Sequence, residues 1–132
     1  MTYSGMAKHT PRALSPTGGS DGRLFIKNGA GVLYSDLPDN EAQIWESRLT
    51  PLSSKVQFTR VTRTAYEYIP STYLICDKDK AISPRFQEAF AEMANSEVDR
   101  CSSGHSPMLS QVGMLAGKII AVAERAVAAV GA

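Results

Sequence analysis

The chain has 132 residues, which is enough for one modest domain and too few for two. Its composition, with 43% hydrophobic and 20% charged residues, is that of an ordinary globular protein and excludes a disordered or fibrous class. A net charge of +1 without a basic patch, and a longest apolar stretch that is interrupted by charges, argue against a nucleic acid or a membrane as partner.

The N-terminal part of the chain is weakly patterned. Residues 1–22 are rich in Ser, Thr, Gly and Pro and show no sustained period, which predicts an irregular segment. Two short β-type runs follow at 24–26 and 32–34, on either side of Asn28 and Gly29, a pair that is common in hairpin turns. We therefore predict a small hairpin or extended loop here.

An amphipathic helix is predicted for residues 38–49. This segment, PDNEAQIWESRL, has acidic residues in its first turn, and Ala42, Trp45 and Leu49 share one helical face. Pro51 follows, and because proline is not tolerated in the interior of a helix, it marks the end of this one. Trp45 is therefore expected to pack in the core or in a lid.

The second half of the chain is more regular. The apolar run TYLIC at 72–76 ends at the charged sequence DKDK, which is typical of a buried parallel strand. A Ser-Pro pair at 83–84 predicts the start of a helix whose apolar residues recur at helical spacing, Phe86, Phe90 and Met93.

A second strand and a second helix complete this half. The sequence predicts a weaker strand at 97–101 and a long helix with a wide apolar face at 108–130. The order strand, helix, strand, helix is typical of an α/β domain, in which right-handed crossovers join parallel strands. Cys76 and Cys101 fall in the two strands and are expected to be reduced, packed thiols.

Candidate functional residues follow the two predicted strands. In α/β sheets, function collects in the loops after the carboxyl ends of the strands. Asp77 and Asp79 follow the first strand, His105 follows the second, and about one strand-helix-strand crossover separates Asp79 from His105. A carboxylate beside an imidazole can fix its tautomer and stabilise its protonated form. An aspartate and a loop histidine also occur together by chance, so the spacing alone leaves a structural role open.

Two longer motifs narrow this choice. The stretches IPSTYLICDKDKAISPRFQ and SSGHSPMLSQ resemble the C-terminal portion of α/β-hydrolases, in the group that includes small-ester methylesterases and hydroxynitrile lyases. The resemblance implies a truncated α/β-hydrolase fold: the last two parallel strands with flanking helices at about 70–131, and part of the cap region at about 23–69. It implies that Asp79 is the acid and His105 the base of a catalytic triad, and that Asp77 is the neighbouring non-catalytic acid.

The segment YSDLPDNEAQIWESRL resembles the cap that covers the substrate pocket in that family. Tyr34 and Trp45 would then lie in the pocket roof, and Tyr66 is a further candidate for the pocket wall.

No nucleophile is identified. The family places its serine in a G-x-S-x-G elbow between an apolar strand and a helix, upstream of the cap. One literal match occurs around Ser20, but no apolar strand precedes it and no helix signal follows it. The oxyanion-hole donors belong to the same upstream region. Ser103, Ser106 and Ser110 flank His105 and are interpreted as loop or capping hydroxyls.

Cofactor and metal motifs are not recognised in the sequence. It contains no C-x-x-C pair and no glycine-rich phosphate loop that opens a helix, and His9 has no recognisable partner. We therefore expect no cofactor and no metal.

Two classes of function stay open at this point. The resemblance implies an esterase-type hydrolase for a small organic, ester-like substrate, in the manner of secondary metabolism, that is incomplete or inactive alone. The alternative is a non-catalytic protein derived from a hydrolase. It would bind a small ligand through Trp45, Tyr66 and Tyr68, or it would have its exposed sheet edge covered by a partner chain or a second copy. With no signal peptide recognised, a cytoplasmic location is expected.

Overall fold

The computed structural model describes residues 17–18, 22–57 and 59–131. The elements in these ranges follow in the order β1 (Thr17–Gly18), β2 (Arg23–Phe25), α1 (Gly29–Val32), α2 (Asp39–Ser47), β3 (Leu52–Ser53), β4 (Thr72–Cys76), α3 (Pro84–Met93), β5 (Glu97–Cys101), α4 (Pro107–Ser110) and α5 (Val112–Val130). Short 3₁₀ turns lie at Ser54–Gln57 and Ala65–Glu67.

The centre of the fold is a parallel pair of strands. β4 and β5 run in register from Thr72 opposite Glu97 to Cys76 opposite Cys101, and α3 makes the crossover between them. Ile75 of β4 is fully buried, as expected for a strand covered on both faces. The predicted strand-helix-strand unit is therefore confirmed.

The crossover helix α3 begins where the Ser-Pro pair predicts it. Its buried face is different from the predicted one, because Gln87 and Ala91 are buried while Met93 is 44% exposed. Phe90 and Met93 instead line an open groove of about 480 Å³ that they share with Tyr66. The apolar spacing of this helix thus predicted the element correctly and its buried face wrongly.

The prediction of a hairpin around Asn28 is wrong. Only the first β-type run forms a strand, β2, and residues 29–32 form the helical turn α1. Asn28 adopts the left-handed conformation (φ 55°), which asparagine tolerates well. Val32 and Leu33 are both buried in one cluster with Ala81, and consecutive residues of a strand would point to opposite faces. A helical turn allows both side chains to reach the same core.

A second small sheet lies at the start of the described chain. β2 pairs antiparallel with both β1 and β3. Thr17 and Gly18 therefore form a strand, although they fall in the segment that was predicted to be irregular.

The helices on either side of the strand-helix-strand unit, α2 before it and α4 and α5 after it, largely follow the sequence pattern. α2 forms within the predicted range and buries Ala42. The helix predicted for 108–130 is interrupted at Gln111 (φ −138°, ψ 50°), so that α4 and α5 are separate helices. Within the described ranges, no helix combines the length and apolar character that a membrane span requires.

The long helix α5 lies over the parallel strands without burying any residue completely. Leu115 and Ile119 of α5 and Leu74 of β4 line an open groove of about 360 Å³. Two ion pairs tether the helix to β5. Lys118 Nζ lies 2.6 Å from both carboxylate oxygens of Asp99, and the Arg125 guanidinium lies 3.8 Å from Glu97 Oε2. The apolar face of the parallel sheet beneath α5 is therefore only loosely covered by the described residues.

The ion pair between Asp99 and Lys118 predicts a pH effect on stability. The hydrogen bond from Lys118 is the main cause that lowers the pKa of Asp99. A carboxyl whose pKa is lower in the folded state stabilises the fold above its ordinary pKa, and this contribution is lost as the pH falls through the lowered value. We expect Asp99→Asn to be less stable than wild type by a constant amount above about pH 5 and equally stable in strong acid. Urea unfolding across this pH range measures the difference, with Glu92→Gln as an exposed control. A difference that persists unchanged in acid would contradict the expectation.

Candidate active site

The Asp79 carboxylate is held by its own loop just after β4. One oxygen, Oδ1, accepts hydrogen bonds from the backbone N–H groups of Ala81 at 2.7 Å and Ile82 at 2.9 Å. The side chain is only 5% exposed. This local Asx-type turn fixes the carboxylate and leaves its second oxygen, Oδ2, directed at the neighbouring loop.

His105 lies in that neighbouring loop, just after β5. Its Nδ1 is 2.9 Å from Asp79 Oδ2, and the imidazole is 32% exposed. Because a carboxylate oxygen accepts the hydrogen bond, the shared proton belongs on Nδ1 and Nε2 is left available for proton transfer. The two residues selected from the sequence are thus in direct contact.

The backbone of the two loops is joined as well. The N–H of Lys78 donates to the carbonyl of Ser103 at 3.0 Å, and the fully buried Ser103 hydroxyl donates to the Gly104 carbonyl at 2.7 Å. Ser103 therefore serves the loop structure, as its interpretation as a loop hydroxyl predicts.

A buried glutamine connects the strand end to the crossover helix. Gln87 is 3% exposed, its Oε1 accepts from the N–H of Cys76 at 2.9 Å, and its Nε2 donates to the carbonyl of Ile82 at 2.8 Å. The same nitrogen lies 3.3 Å from Asp79 Oδ2. Gln87 thus helps to set the position of the carboxylate relative to β4 and α3.

The cap segment reaches the histidine loop through Asp36. Its Oδ2 accepts a hydrogen bond of 2.6 Å from the backbone N–H of Gly104. Its other oxygen, Oδ1, is buried and has no hydrogen-bond partner among the described residues.

Of the predicted pocket residues, Tyr34 and Trp45 are neighbours in the cap segment. Tyr34 packs against the cluster that contains Ala81, two residues after Asp79. Its ring centroid lies 6.4 Å from that of Trp45, and the Arg48 guanidinium lies 4.9 Å from the Trp45 ring centroid.

Tyr66 lies elsewhere. It lines the 480 Å³ groove together with Thr72 and Ser96, at the amino-terminal ends of the two parallel strands. Asp79 and His105 are at the carboxyl-terminal ends of the same strands, so Tyr66 lies at the opposite end of the strands from these two residues. Tyr68 is 77% exposed.

Asp77 has a different role from Asp79. Its Oδ1 lies 2.7 Å from the Arg100 guanidinium, which also contacts Glu88 at 2.9 Å. Hydrogen bonds to Glu88 and then to Asp77 raise the pKa of Arg100. This exposed network turns the Asp77 carboxylate towards Arg100. Ser20 and His9 lie outside the described residues.

Three site residues were missed by sequence reasoning: Asp36, Gln87 and Gly104. Each lies within a stretch that was quoted for its resemblance, but none has a charge or spacing signal that assigns a role. The one local signal is that Gln87 stands four residues before Ala91 and so shares its helical face. Among the described residues, no three His, Cys, Asp or Glu side chains converge in a way that could hold a metal ion.

The comparison with protein families agrees with this geometry. Residues 3–116 match the model of the alpha/beta hydrolase family. The chain belongs to this family. The match begins well upstream of the motifs that suggested it, and it includes the cap segment and both loops of the site.

Relatives of this α/β-hydrolase are found among curated and solved proteins. Alpha/beta hydrolase nvfD of Aspergillus novofumigatus (strain IBT 16806) is 38% identical over 81 residues, which are 60% of this chain and 32% of that protein. The crystal structure of polyneuridine aldehyde esterase matches with a TM-score of 0.68 at 16% identity, over 89% of this chain and 52% of that one. A mutant of the same esterase gives a TM-score of 0.60 at 19% identity, over 70% and 39%. The chain therefore spans about a third of the curated relative and about half or less of the solved chains, and the structural likeness shows the fold.

Gln87→Leu is expected to destabilise the protein by about 2–4 kcal/mol, because the Cys76 N–H and the Ile82 carbonyl lose their buried partner. Urea unfolding measures the change. Gln43→Leu, at an exposed position of α2, is the matched control and is expected to change stability by less than about 0.5 kcal/mol. Equal effects of the two substitutions would refute the role assigned to Gln87.

The two strand cysteines are free, buried thiols whose sulfur atoms lie 3.7 Å apart. Burial and the hydrogen bond with Cys101 raise the pKa of Cys76 to about 12. Since the thiolate is the reactive form, we expect iodoacetamide to leave Cys76 unmodified at pH 8 in the native protein and to modify it rapidly in denaturant. Peptide mass spectrometry gives the extent at this residue, and fast native labelling would contradict the buried, protonated thiol.

Proposed function

We propose that this chain carries the acid and base of a serine-type esterase that acts on a small organic ester. The observation that supports this most is the contact of 2.9 Å between His105 Nδ1 and Asp79 Oδ2, at the carboxyl ends of two adjacent parallel strands. His105 is the general base and acid, and Asp79 orients it.

In the proposed reaction, His105 Nε2 removes the proton of a serine hydroxyl as the serine oxygen attacks the ester carbonyl. Asp79 stabilises the resulting imidazolium through the Nδ1 hydrogen bond. The imidazolium then donates the proton to the leaving alcohol. A water molecule then attacks the acyl carbonyl while Nε2 takes its proton. The imidazolium passes this proton to the departing serine oxygen, which releases the acid and restores both serine and neutral histidine.

The serine and the oxyanion-hole donors are assigned to the nucleophile-elbow half of an α/β-hydrolase, which precedes the cap in this family. The whole reaction is therefore proposed for a hydrolase assembled from that half and the part described above. Tyr34 and Trp45 would form an apolar roof over the acyl or alcohol group, in keeping with a small hydrophobic substrate of the secondary-metabolite type. A cytoplasmic location for this reaction is likewise a prediction.

A non-catalytic interaction subunit is the second candidate, and the open side of the sheet favours it. Among the described residues, β4 pairs only with β5, and Leu74, Leu115 and Ile119 line an open apolar groove. An unpaired strand edge beside an apolar groove is a surface that another polypeptide can cover. The occupant would be the rest of a hydrolase, a partner chain or a second copy.

Turnover of a chromogenic short-chain ester by the hydrolase assembled with its nucleophile-elbow half tests the esterase proposal. We expect His105→Ala to abolish turnover and Asp79→Asn to lower kcat by about 10⁴-fold, the loss seen when a triad acid is made neutral. His9→Ala, at the other histidine of the chain, is the matched control and should keep the wild-type rate.

A fluorophosphonate probe with peptide mapping identifies the serine in the same samples. Equal turnover in wild type and His105→Ala would overturn the proposal. An assembled, folded protein that neither hydrolyses the ester nor reacts with the probe would favour the interaction subunit.

A further inference from the structure

The hydrogen bond between Asp36 and Gly104 joins two distant parts of the chain. Asp36 lies in the turn between α1 and α2, and Gly104 is the residue before His105, 68 positions later. The bond of 2.6 Å is charge-assisted, and such bonds are among the stronger ones in proteins. It is a direct polar link between the cap segment and the histidine loop.

The two partners fit each other sterically as well. A Cβ atom on residue 104 would lie 2.6 Å from Asp36 Oδ1 and 2.8 Å from its Cγ, which is closer than real side chains approach. The Asp36 carboxylate therefore occupies the space that any side chain at position 104 would need. Only glycine lets the carboxylate reach the backbone N–H at this point.

Asp36 lies at this place although one of its oxygens has no hydrogen-bond partner among the described residues. This oxygen, Oδ1, is buried, and a buried unpaired polar atom costs free energy. The turn that carries it is well defined, since Leu37 N–H donates to the Tyr34 carbonyl at 3.0 Å and Tyr34 packs beside Ala81. A carboxylate in such a position calls for an explanation beyond stability.

We propose that Asp36 is a positioning residue for His105. By accepting the hydrogen bond of the Gly104 N–H, it fixes the backbone from which the imidazole reaches Asp79. The hydrogen bond from Lys78 to the Ser103 carbonyl holds the preceding residue of the same loop. A displacement of this backbone by about 1 Å would take the His105 Nδ1 contact out of hydrogen-bond range. The cap segment thereby sets the geometry of the base.

The effect of Asp36 on catalysis rests on the proposed esterase function, whereas its effect on the position of the His105 imidazole does not. A spectroscopic test therefore separates the two. The chain has only two histidines, so ¹⁵N-histidine labelling with His9→Ala as background isolates the signals of His105. In wild type we expect a protected Nδ1–H resonance with the shift of a nitrogen bonded to a carboxylate.

Asp36→Ala is expected to abolish this resonance or to speed its exchange with water by at least about tenfold, because a hydrogen bond to a charged group is lost. Asp36→Asn keeps an oxygen acceptor for the Gly104 N–H and is expected to restore the resonance. Asp39→Ala removes an exposed carboxylate from the same segment and should leave the spectrum unchanged.

An unchanged resonance in Asp36→Ala would overturn the proposal, whatever the result of the ester assay. If Asp36→Ala does not fold, Asp36→Asn decides: a retained resonance supports positioning by the hydrogen bond, and a lost one overturns it. A wild-type protein that shows the resonance but no turnover, and that loses the resonance in Asp36→Ala, would count against the esterase function and not against the positioning role of Asp36.

The glycine gives an independent check. Gly104→Ala should disturb the His105 resonance, while Gly113→Ala, which has no atom within 4 Å of the added methyl group, should not. In the double variant Asp36→Ala/Gly104→Ala the steric conflict is removed. We therefore expect the double variant to weaken the His105 Nδ1–H resonance no more than Asp36→Ala alone does. If the effects of the two single substitutions on this resonance add up, the steric fit is refuted.

Discussion

The arrangement at the end of β4 depends on one carboxylate. Asp79 accepts hydrogen bonds from two backbone N–H groups of its own loop and contacts both the imidazole of His105 and the amide of Gln87. Each contact belongs to a different part of the fold: the loop itself, the crossover helix and the histidine loop. A nearly buried carboxylate requires such partners, because an unpaired charge in this place would destabilise the fold strongly.

The carboxyl-terminal edge of the parallel sheet and its apolar face beneath α5 are held together differently. At the edge, Gln87 and the Lys78 to Ser103 bond connect neighbouring elements through short hydrogen bonds. On the face beneath α5, the helix lies over a groove and is tethered by two ion pairs. The pair of Lys118 with Asp99 is partly exposed and that of Arg125 with Glu97 is largely exposed, so solvent weakens both. The described part of this α/β-hydrolase thus holds its candidate catalytic pair through short hydrogen bonds, while the apolar groove beneath α5 stays open.

The comparison with the esterase structures has a simple physical basis. At 16–19% identity the fold is shared, and what a fold preserves first is the pattern of buried strands and the crossover between them. The chemistry depends on a few side chains at the strand ends. In this chain those ends carry Asp79 and His105, and the cap contributes Asp36 to the same loop.

The sequence by itself determined the elements whose signals are local. The apolar run before DKDK predicted β4, the Ser-Pro pair predicted the start of α3, and the two motifs singled out Asp79 and His105. It could not determine the buried face of α3. Phe90 and Met93 are more apolar than Gln87, and only the tertiary structure shows the buried backbone groups with which Gln87 forms hydrogen bonds.

Tertiary structure alone decided the rest. The Asn-Gly pair is a genuine turn signal, but the joint burial of Val32 and Leu33 favoured a helical turn over a hairpin. Tyr66 is aromatic like Tyr34, yet it lies at the other end of the strands. The link from Asp36 to Gly104 joins residues 68 positions apart, and periodicity and spacing report only on near neighbours in the chain.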